Sequence, residues 1–156
     1  MKISILLLML SAVLAAQSTN GYVFFAPGGV TESGYTSTTF HAGGGVDLMI
    51  AKGIGANIEL GAIWPSESPA SVVGMFSPGA TYYFRRGKEL KLEPFVSGGY
   101  TLMFREGHAN LGYVGGGVNY WMSRKVGLRA EFRDHIAAQC CSTVNYWGIR
   151  IGLAFR

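Results

Sequence analysis

The last two extended stretches of the chain alternate between apolar residues and residues that are mostly glycine or charged. In the final stretch the apolar set is Trp147, Ile149, Ile151, Leu153 and Phe155, and the other set is Tyr146, Gly148, Arg150, Gly152 and Ala154. In the stretch before it, Val126, Leu128, Ala130 and Phe132 alternate with Gly127, Arg129, Glu131 and Arg133. Residues two apart share one face of a β-strand, so each stretch predicts a strand with one apolar and one polar face.

The composition of the polar face predicts that this sheet is inside out. It carries glycine and charges of both signs instead of the Ser, Thr and Lys of a solvated sheet. Large charged side chains fit a crowded interior when their neighbours are small and their partners have the opposite sign. If the charged face is the interior, the apolar face is the exterior and needs lipid around it. This is the pattern of a membrane β-barrel.

The same alternation continues through the chain and predicts an all-β fold. The predicted strands lie near 21–27, 36–50, 54–64, 72–84, 91–104, 110–121, 126–137 and 144–155. The connections near 51–53, 85–90 and 122–125 are short and basic, and those near 28–35, 65–71, 105–109 and 138–143 carry Gly, Ser, Pro, Glu, His and Cys. We therefore predict an eight-stranded antiparallel up-and-down transmembrane β-barrel, with short turns in the periplasm and the richer loops outside.

Charged residues of the inward set are predicted to pair with one another inside the barrel. They are Glu59, Glu93, Arg129, Glu131, Arg133 and Arg150, and the inward set also holds Asp47, Asn57 and Asn119. An eight-stranded interior is just wide enough for side chains to fill it, so we predict a plugged lumen. Aromatic residues near the strand ends predict an interfacial girdle: Trp64, Tyr82, Phe84, Tyr120, Trp147 and Phe155.

The N-terminus has the features of a secretory signal. Lys2 precedes an apolar run over 3–10, and the stretch 11–16 that follows ends in small residues. The apolar run is too short to span a bilayer as a helix. Cleavage after Ala15 and cleavage after Ala16 both fit the pattern. We predict a signal peptide over 1–16 and a barrel domain over 17–156.

Composition and charge agree with this fold class. Glycine accounts for 23 of 156 residues, about twice its usual frequency, and it is a poor helix former. The formal net charge is +4. The basic residues of the turns are separated instead of forming one stripe with interleaved aromatic residues, so no nucleic-acid partner is expected. They are Lys52, Arg85, Arg86, Lys88, Arg124 and Lys125.

An internal repeat appears at an offset of 72 residues between 43–60 and 115–132. Each copy begins with three glycines and reads as a strand, a tight basic turn and a second strand. Duplication of a four-stranded half would produce this pattern, and so would the general likeness of barrel hairpins. The sequence leaves both explanations open.

Three segments carry a resemblance to a known family. GGGVNYWMSRKVGLRAEFRDH (115–135), KLEPFVSGGYT (91–101) and IRIGLAFR (149–156) resemble the small OmpA-like transmembrane barrels of the bacterial outer membrane. The resemblance covers most of the chain after the signal. It implies export to the outer membrane, contact with outer-membrane lipid and assembly by the barrel assembly machinery, often without an enzymatic role. Such chains usually end on an aromatic residue, whereas here Phe155 is penultimate.

The sequence predicts no catalytic residues, no cofactor and no metal site, because phosphate-loop, HExxH and dinucleotide patterns do not occur. A resemblance to lipid A deacylases would place a serine two residues after a strand histidine. Gly43 follows His41 and Ala137 follows His135 at that spacing. We predict polar packing or hydrogen bonding for both histidines. A small lipid-modifying enzyme remains an alternative.

Cys140 and Cys141 are adjacent, in the fourth predicted outer loop. A strained vicinal disulfide, a bridge to another chain and two free thiols are all compatible with an oxidising compartment.

The function predicted from these observations is a non-enzymatic outer-membrane barrel with a structural or surface-interaction role. The main alternative is a secreted soluble β-barrel that binds a small apolar ligand, with the apolar face as its core. These two alternatives make opposite predictions about which face lies inside. The sequence indicates no extracellular partner for either alternative.

Overall fold

The computed structural model describes residues 19–84, 91–105, 107–138 and 143–156. These residues form one closed antiparallel barrel in which each strand pairs with the next and β1 pairs with β8. The strands are β1 (Thr19–Glu32), β2 (Tyr35–Ala51), β3 (Ile54–Pro65), β4 (Val73–Tyr83), β5 (Leu92–Phe104), β6 (His108–Trp121), β7 (Val126–Ala138) and β8 (Thr143–Phe155). The predicted eight-stranded fold is confirmed.

The predicted signal peptide and the Cys140–Cys141 pair lie outside the described residues. Among the residues that are described, no helix is long and apolar enough to cross a membrane. Below, the end of the barrel that carries the 51–53, 84–91 and 122–125 connections is called the turn end, and the opposite end is called the loop end.

The first hairpin differs from its prediction, because β1 continues past Pro27 and Gly28 to Glu32. These residues read locally as a turn, but they lie within the β1–β2 ladder, where Pro27 pairs with Phe40. Because proline has no N–H to donate, the β1–β8 pairing is interrupted around Pro27. It runs to Phe25↔Ile151 and resumes at Gly28↔Gly148. The actual turn is at Ser33 and Gly34, whose φ values of 49° and 88° suit a two-residue hairpin. The prediction of a loop over 28–35 was therefore wrong.

The two faces of the sheet have opposite polarity, as the alternation predicts. On β8, Ile149 and Ile151 are 53% and 60% exposed on the outer wall, whereas Arg150 between them is 2% exposed inside the barrel. The same contrast holds on β7, where Phe132 is 53% exposed and Arg133 is 1% exposed. The apolar face is thus the outside of the barrel, and the charged face lines the lumen.

The lumen is filled in layers along the barrel axis. Near the turn end it holds Met49, Tyr83, Phe95 and Trp121. Charged residues from β2, β3, β7 and β8 fill the middle, and two histidines lie beyond them. Toward the loop end an apolar layer closes the lumen, formed by Ile63, Met75, Met103, Leu111, Ala137 and Val144. In the part of the chain that the structure describes, the lumen is therefore filled by packed side chains.

The charged network as candidate functional site

Strand β7 supplies the largest share of the charged network. Arg129, Glu131 and Arg133 are two residues apart, so all three side chains enter the lumen from one strand. Arg150 on β8 is paired in register with Glu131 and enters beside it. Glu59 enters from β3, which is four strands away from β7 around the barrel. The network therefore connects opposite walls.

Glu131 lies at the centre of this network and contacts three arginines. Its Oε1 is 2.6 Å from Arg133 Nη2, and its Oε2 is 3.1 Å from Arg129 Nη2. Arg150 Nη1 is 3.6 Å from the same Oε2. All four side chains are at most 3% exposed. In such a site the strength of each ion pair depends on all the others.

Glu59 forms the second centre, on the opposite wall. It accepts hydrogen bonds from Arg150 Nη2 at 2.5 Å, from Arg133 Nη1 at 3.2 Å and from the Tyr22 hydroxyl at 2.8 Å. Arg133 and Arg150 therefore bridge Glu59 and Glu131 across the lumen. Charge-assisted hydrogen bonds of this kind are about twice as strong as neutral ones, and here they tie β3 to β7 and β8.

Asp47 on β2 is the third carboxylate of the network. It accepts hydrogen bonds from the Tyr83 hydroxyl at 2.5 Å, from Thr81 Oγ1 at 2.9 Å and from Asn57 Nδ2 at 2.8 Å. Arg129 Nη1 lies 3.5 Å from Asp47 Oδ2. The sequence places Asp47 on the inward face but does not identify it as a partner of the arginines. With Asp47 included, three carboxylates balance three guanidinium groups.

Glu93 is separated from the other five residues that were predicted to pair. Within the described residues its ion pair is with Arg156, whose Nη2 is 3.4 Å from Glu93 Oε1. It also accepts hydrogen bonds from Trp121 Nε1 at 3.1 Å and from Asn119 Nδ2 at 3.3 Å. The reason is its height in the barrel, since Glu93 is the second residue of β5 and lies near the turn end. The prediction of one network of six is corrected to two separate clusters.

Aromatic rings cover the flat faces of the arginines in both clusters. Arg129 Cζ lies 4.2 Å from the Tyr22 ring centre and 3.9 Å from that of Phe95. The corresponding pairs elsewhere are Arg133 over Tyr113 at 4.4 Å, Arg150 over Phe24 at 3.5 Å and Arg156 over Trp121 at 3.8 Å. A guanidinium on an aromatic face gains attraction without needing another charge, which offsets part of the cost of burying it.

The repeated glycine triplets provide the space for this network. A Cβ at Gly45 would lie 2.6 Å from the Tyr22 hydroxyl oxygen, and one at Gly115 would lie 2.9 Å from Glu131 Oε1. Both distances are shorter than real Cβ contacts, so large side chains approach a bare backbone on β2 and on β6. The sequence showed the two triplets as a repeat, and their role becomes visible only when the side chains that cross the lumen are known.

Two histidines form the next layer toward the loop end. His135 Nδ1 is 3.0 Å from Thr101 Oγ1, which is 2.8 Å from Ser77 Oγ, and the His41 ring centre is 6.1 Å from that of His135. Ser77 is 1% exposed and Thr101 is fully buried. A cavity of ≈ 10 Å³ for the centre of a water-sized sphere lies between the histidines, Arg133 and Arg150, which is room for about one water.

The chemistry that this layer supports is packing and hydrogen bonding. The Ser77 hydroxyl reaches His135 through Thr101, and the cavity beside His135 in the described part of the chain has room for about one water. Among the described residues, no group of three or more His, Cys, Asp and Glu side chains could hold a metal ion.

No protein-family model and no curated protein matches the chain, but solved structures do. The N-terminal β-barrel domain of Pseudomonas aeruginosa OprF matches with a TM-score of 0.66 and 15% identity, over 89% of this chain and 97% of that one. Neisserial surface protein A matches with a TM-score of 0.65 and 14% identity, over 88% and 96%. The outer membrane protein OprG from Pseudomonas aeruginosa matches with a TM-score of 0.56 and 12% identity, over 88% and 94%.

At these identities the likeness concerns the fold. The resemblance to small outer-membrane barrels, predicted from the sequence, is confirmed at that level.

Proposed function

We propose that this chain is a bacterial outer-membrane protein that crosses the bilayer as a closed barrel and has a structural or surface-interaction role. The observation that carries the proposal is the polarity of the two faces. Leu60, Phe132 and Ile151 are more than half exposed on the outer wall, while three arginines and four carboxylates are buried within. In water an exposed apolar surface of this extent is unfavourable, whereas lipid solvates it.

Backbone closure supports the same proposal. A bilayer offers no hydrogen-bond partners to backbone groups, so a sheet crosses it only when it has no free edge. Here every strand has two neighbours because β1 pairs with β8. The shortest strand, β4, has 11 residues, and a tilted membrane strand needs about 9–11.

The filled lumen favours a structural role over transport or ligand binding. Small-molecule sites usually enclose roughly 300–1,000 Å³, whereas the cavity beside the histidines holds about one water. The soluble alternative requires an apolar interior that could receive an apolar ligand. The middle of the lumen instead contains charged groups, so the structure offers that alternative no support.

The first hairpin supports a surface-interaction role. Its tip, from Glu32 to Thr38, is exposed on both faces, so it projects beyond the barrel wall. Tyr35 at this tip is 84% exposed. Tyrosine is enriched among the residues that dominate protein interfaces. One of the matching structures is itself described as a surface protein. We propose that this hairpin is the part of the molecule that contacts an extracellular partner.

Membrane fractionation tests the proposed location. The full chain is expressed in a bacterium with an outer membrane, and the isolated membranes are washed with sodium carbonate. We expect the protein to stay in the outer-membrane pellet and to migrate differently in unboiled and boiled gel samples. Release into the carbonate supernatant would contradict the proposal and favour a secreted soluble barrel.

A further inference from the structure

The charges outside the lumen are distributed unequally between the two ends of the barrel. The turn-end connections 51–53, 84–91 and 122–125 have a net charge of +6, from Lys52, Arg85, Arg86, Lys88, Lys91, Arg124 and Lys125 with Glu89. The loop-end connections 33–34, 66–72, 105–107 and 139–142 have a net charge of −1, from Arg105 with Glu67 and Glu106. The positive charge of the chain is therefore concentrated at one end.

Four basic side chains of the turn end lie among the described residues and are available to a partner. Lys52, Lys91, Arg124 and Lys125 are exposed. Within the described part of the chain none of them takes part in an ion pair, since the ion pairs found there involve the lumen arginines and Arg156. Arg156 itself is engaged with Glu93 and Trp121. The exposed cations thus form a ring that is separate from the interior clusters.

Exposed apolar side chains accompany this basic ring. They are Ile50, Phe84, Leu92 and Met122, which are 73%, 58%, 57% and 56% exposed. Each lies within two residues of a basic residue of the turns. Apolar side chains beside Lys and Arg suit the boundary of a bilayer, where the apolar groups enter the hydrocarbon and the long basic side chains extend to the headgroups.

We infer that the turn end binds the phosphate headgroups of anionic phospholipids, and that Lys52, Arg124 and Lys125 contact them. This inference rests on the proposed membrane location. The ring comes from three separate turns around the barrel, which suits a flat leaflet better than a groove for one extended partner. Each basic residue near an anionic leaflet contributes about a fivefold increase in affinity, and salt weakens this contribution.

Asymmetric vesicles test the inference. The barrel is inserted from outside into phosphatidylcholine vesicles with and without phosphatidylglycerol in the outer leaflet, and trypsin added outside verifies that the turn end faces that leaflet. Unfolding in urea is then compared between the two vesicle types. We expect phosphatidylglycerol to stabilise the wild-type barrel. In the variant K52Q/R124Q/K125Q, the change in the unfolding equilibrium constant that phosphatidylglycerol causes should be smaller than in the wild type by a factor on the order of 100. High salt should remove the effect of phosphatidylglycerol from the wild type.

Two control variants separate position from charge. K52R/R124K/K125R keeps the charge at the turn end and should respond like the wild type. K52Q/R124Q/K125Q/S66K/S68K/S71K restores the overall charge at the loop end and should not recover the effect. An unchanged response of K52Q/R124Q/K125Q, or recovery by the loop-end lysines, would overturn the inference. Failure of the wild type to insert into either vesicle would overturn the proposed function as well.

Discussion

Charge balance explains why the lumen residues occur as a set. Burying an isolated charge in a protein interior costs several kcal/mol, and the cost is met only where partners and hydrogen bonds compensate it. In the main network Asp47, Glu59 and Glu131 match Arg129, Arg133 and Arg150 in number. Removing one member therefore leaves a buried charge without a partner, whereas removing an oppositely charged pair keeps the balance.

Replacement of Glu131 by glutamine tests this balance. Glu131→Gln removes the negative charge that three arginines share, and we expect it to destabilise the barrel by roughly 3–5 kcal/mol in urea unfolding. The double variant E131Q/R150M should cost less than the sum of its single changes. Glu67→Gln, in an exposed loop, is the matched control and should have no effect. A loss below about 1 kcal/mol for Glu131→Gln would show that the network does not stabilise the fold.

The sequence could predict which residues face inward but not which of them meet. Alternation along a strand sets the face of each side chain, and Glu59, Arg129, Glu131, Arg133 and Arg150 on the predicted inward face are buried. Contact across the lumen depends also on height along the barrel axis, which the stagger between strands determines. Alternation carries no information about stagger, and for this reason Glu93 was grouped with the network and Asp47 was left out.

At the scale of strands, the hydrophobic pattern identified all eight, and its main error was at the end of β1. A Pro-Gly-Gly sequence at 27–29 is a local turn signal, yet β2 provides a continuous partner through Thr38↔Gly29. Tertiary pairing thus overrides the local preference. Ser33-Gly34 is also a turn signal in the sequence, but the Pro-Gly-Gly signal that precedes it was given more weight.

Arginine on the outer wall tests whether the strands face lipid. Ile151 lies within β8 and is 60% exposed. Ile151→Arg should destabilise the barrel in lipid vesicles by about 2–4 kcal/mol if it lies near the bilayer midplane. Ile50→Arg, next to the turn end, is the control and should cost about 0–1 kcal/mol. Equal and negligible effects at both positions would favour a barrel surrounded by water.

The connection between β7 and β8 gives a further prediction. Cys140 and Cys141 lie in it, outside the described residues, and both strands reach the loop end there. We expect C140S/C141S to leave barrel assembly and melting unchanged, because adjacent cysteines cannot connect distant parts of the chain. Gel migration of unboiled samples and thermal unfolding measure this. A failure of the variant to assemble would show that the pair has a role in folding.

At the scale of the whole molecule, polarity varies in two directions. From the axis outward it changes from charged to apolar, which is the reverse of a soluble barrel. Along the axis it changes from the basic turn end to the mildly acidic loop end. The first variation supports the proposal that lipid surrounds the barrel, and the second supports the proposed orientation within it. Together with the filled lumen they agree with the proposed function, in which the barrel is anchored in the membrane and presents one hairpin beyond the bilayer.

Cysteine labelling at both ends of the barrel tests this account most directly. Ser37 in the first hairpin and Ser123 in the β6–β7 turn are both exposed. Each is replaced by cysteine in the C140S/C141S background, and intact cells are treated with a membrane-impermeant maleimide. We expect S37C to be labelled on intact cells and S123C only after the outer membrane is broken. Labelling of both on intact cells, of neither, or of S123C alone would contradict a barrel that crosses the outer membrane with its hairpin outside.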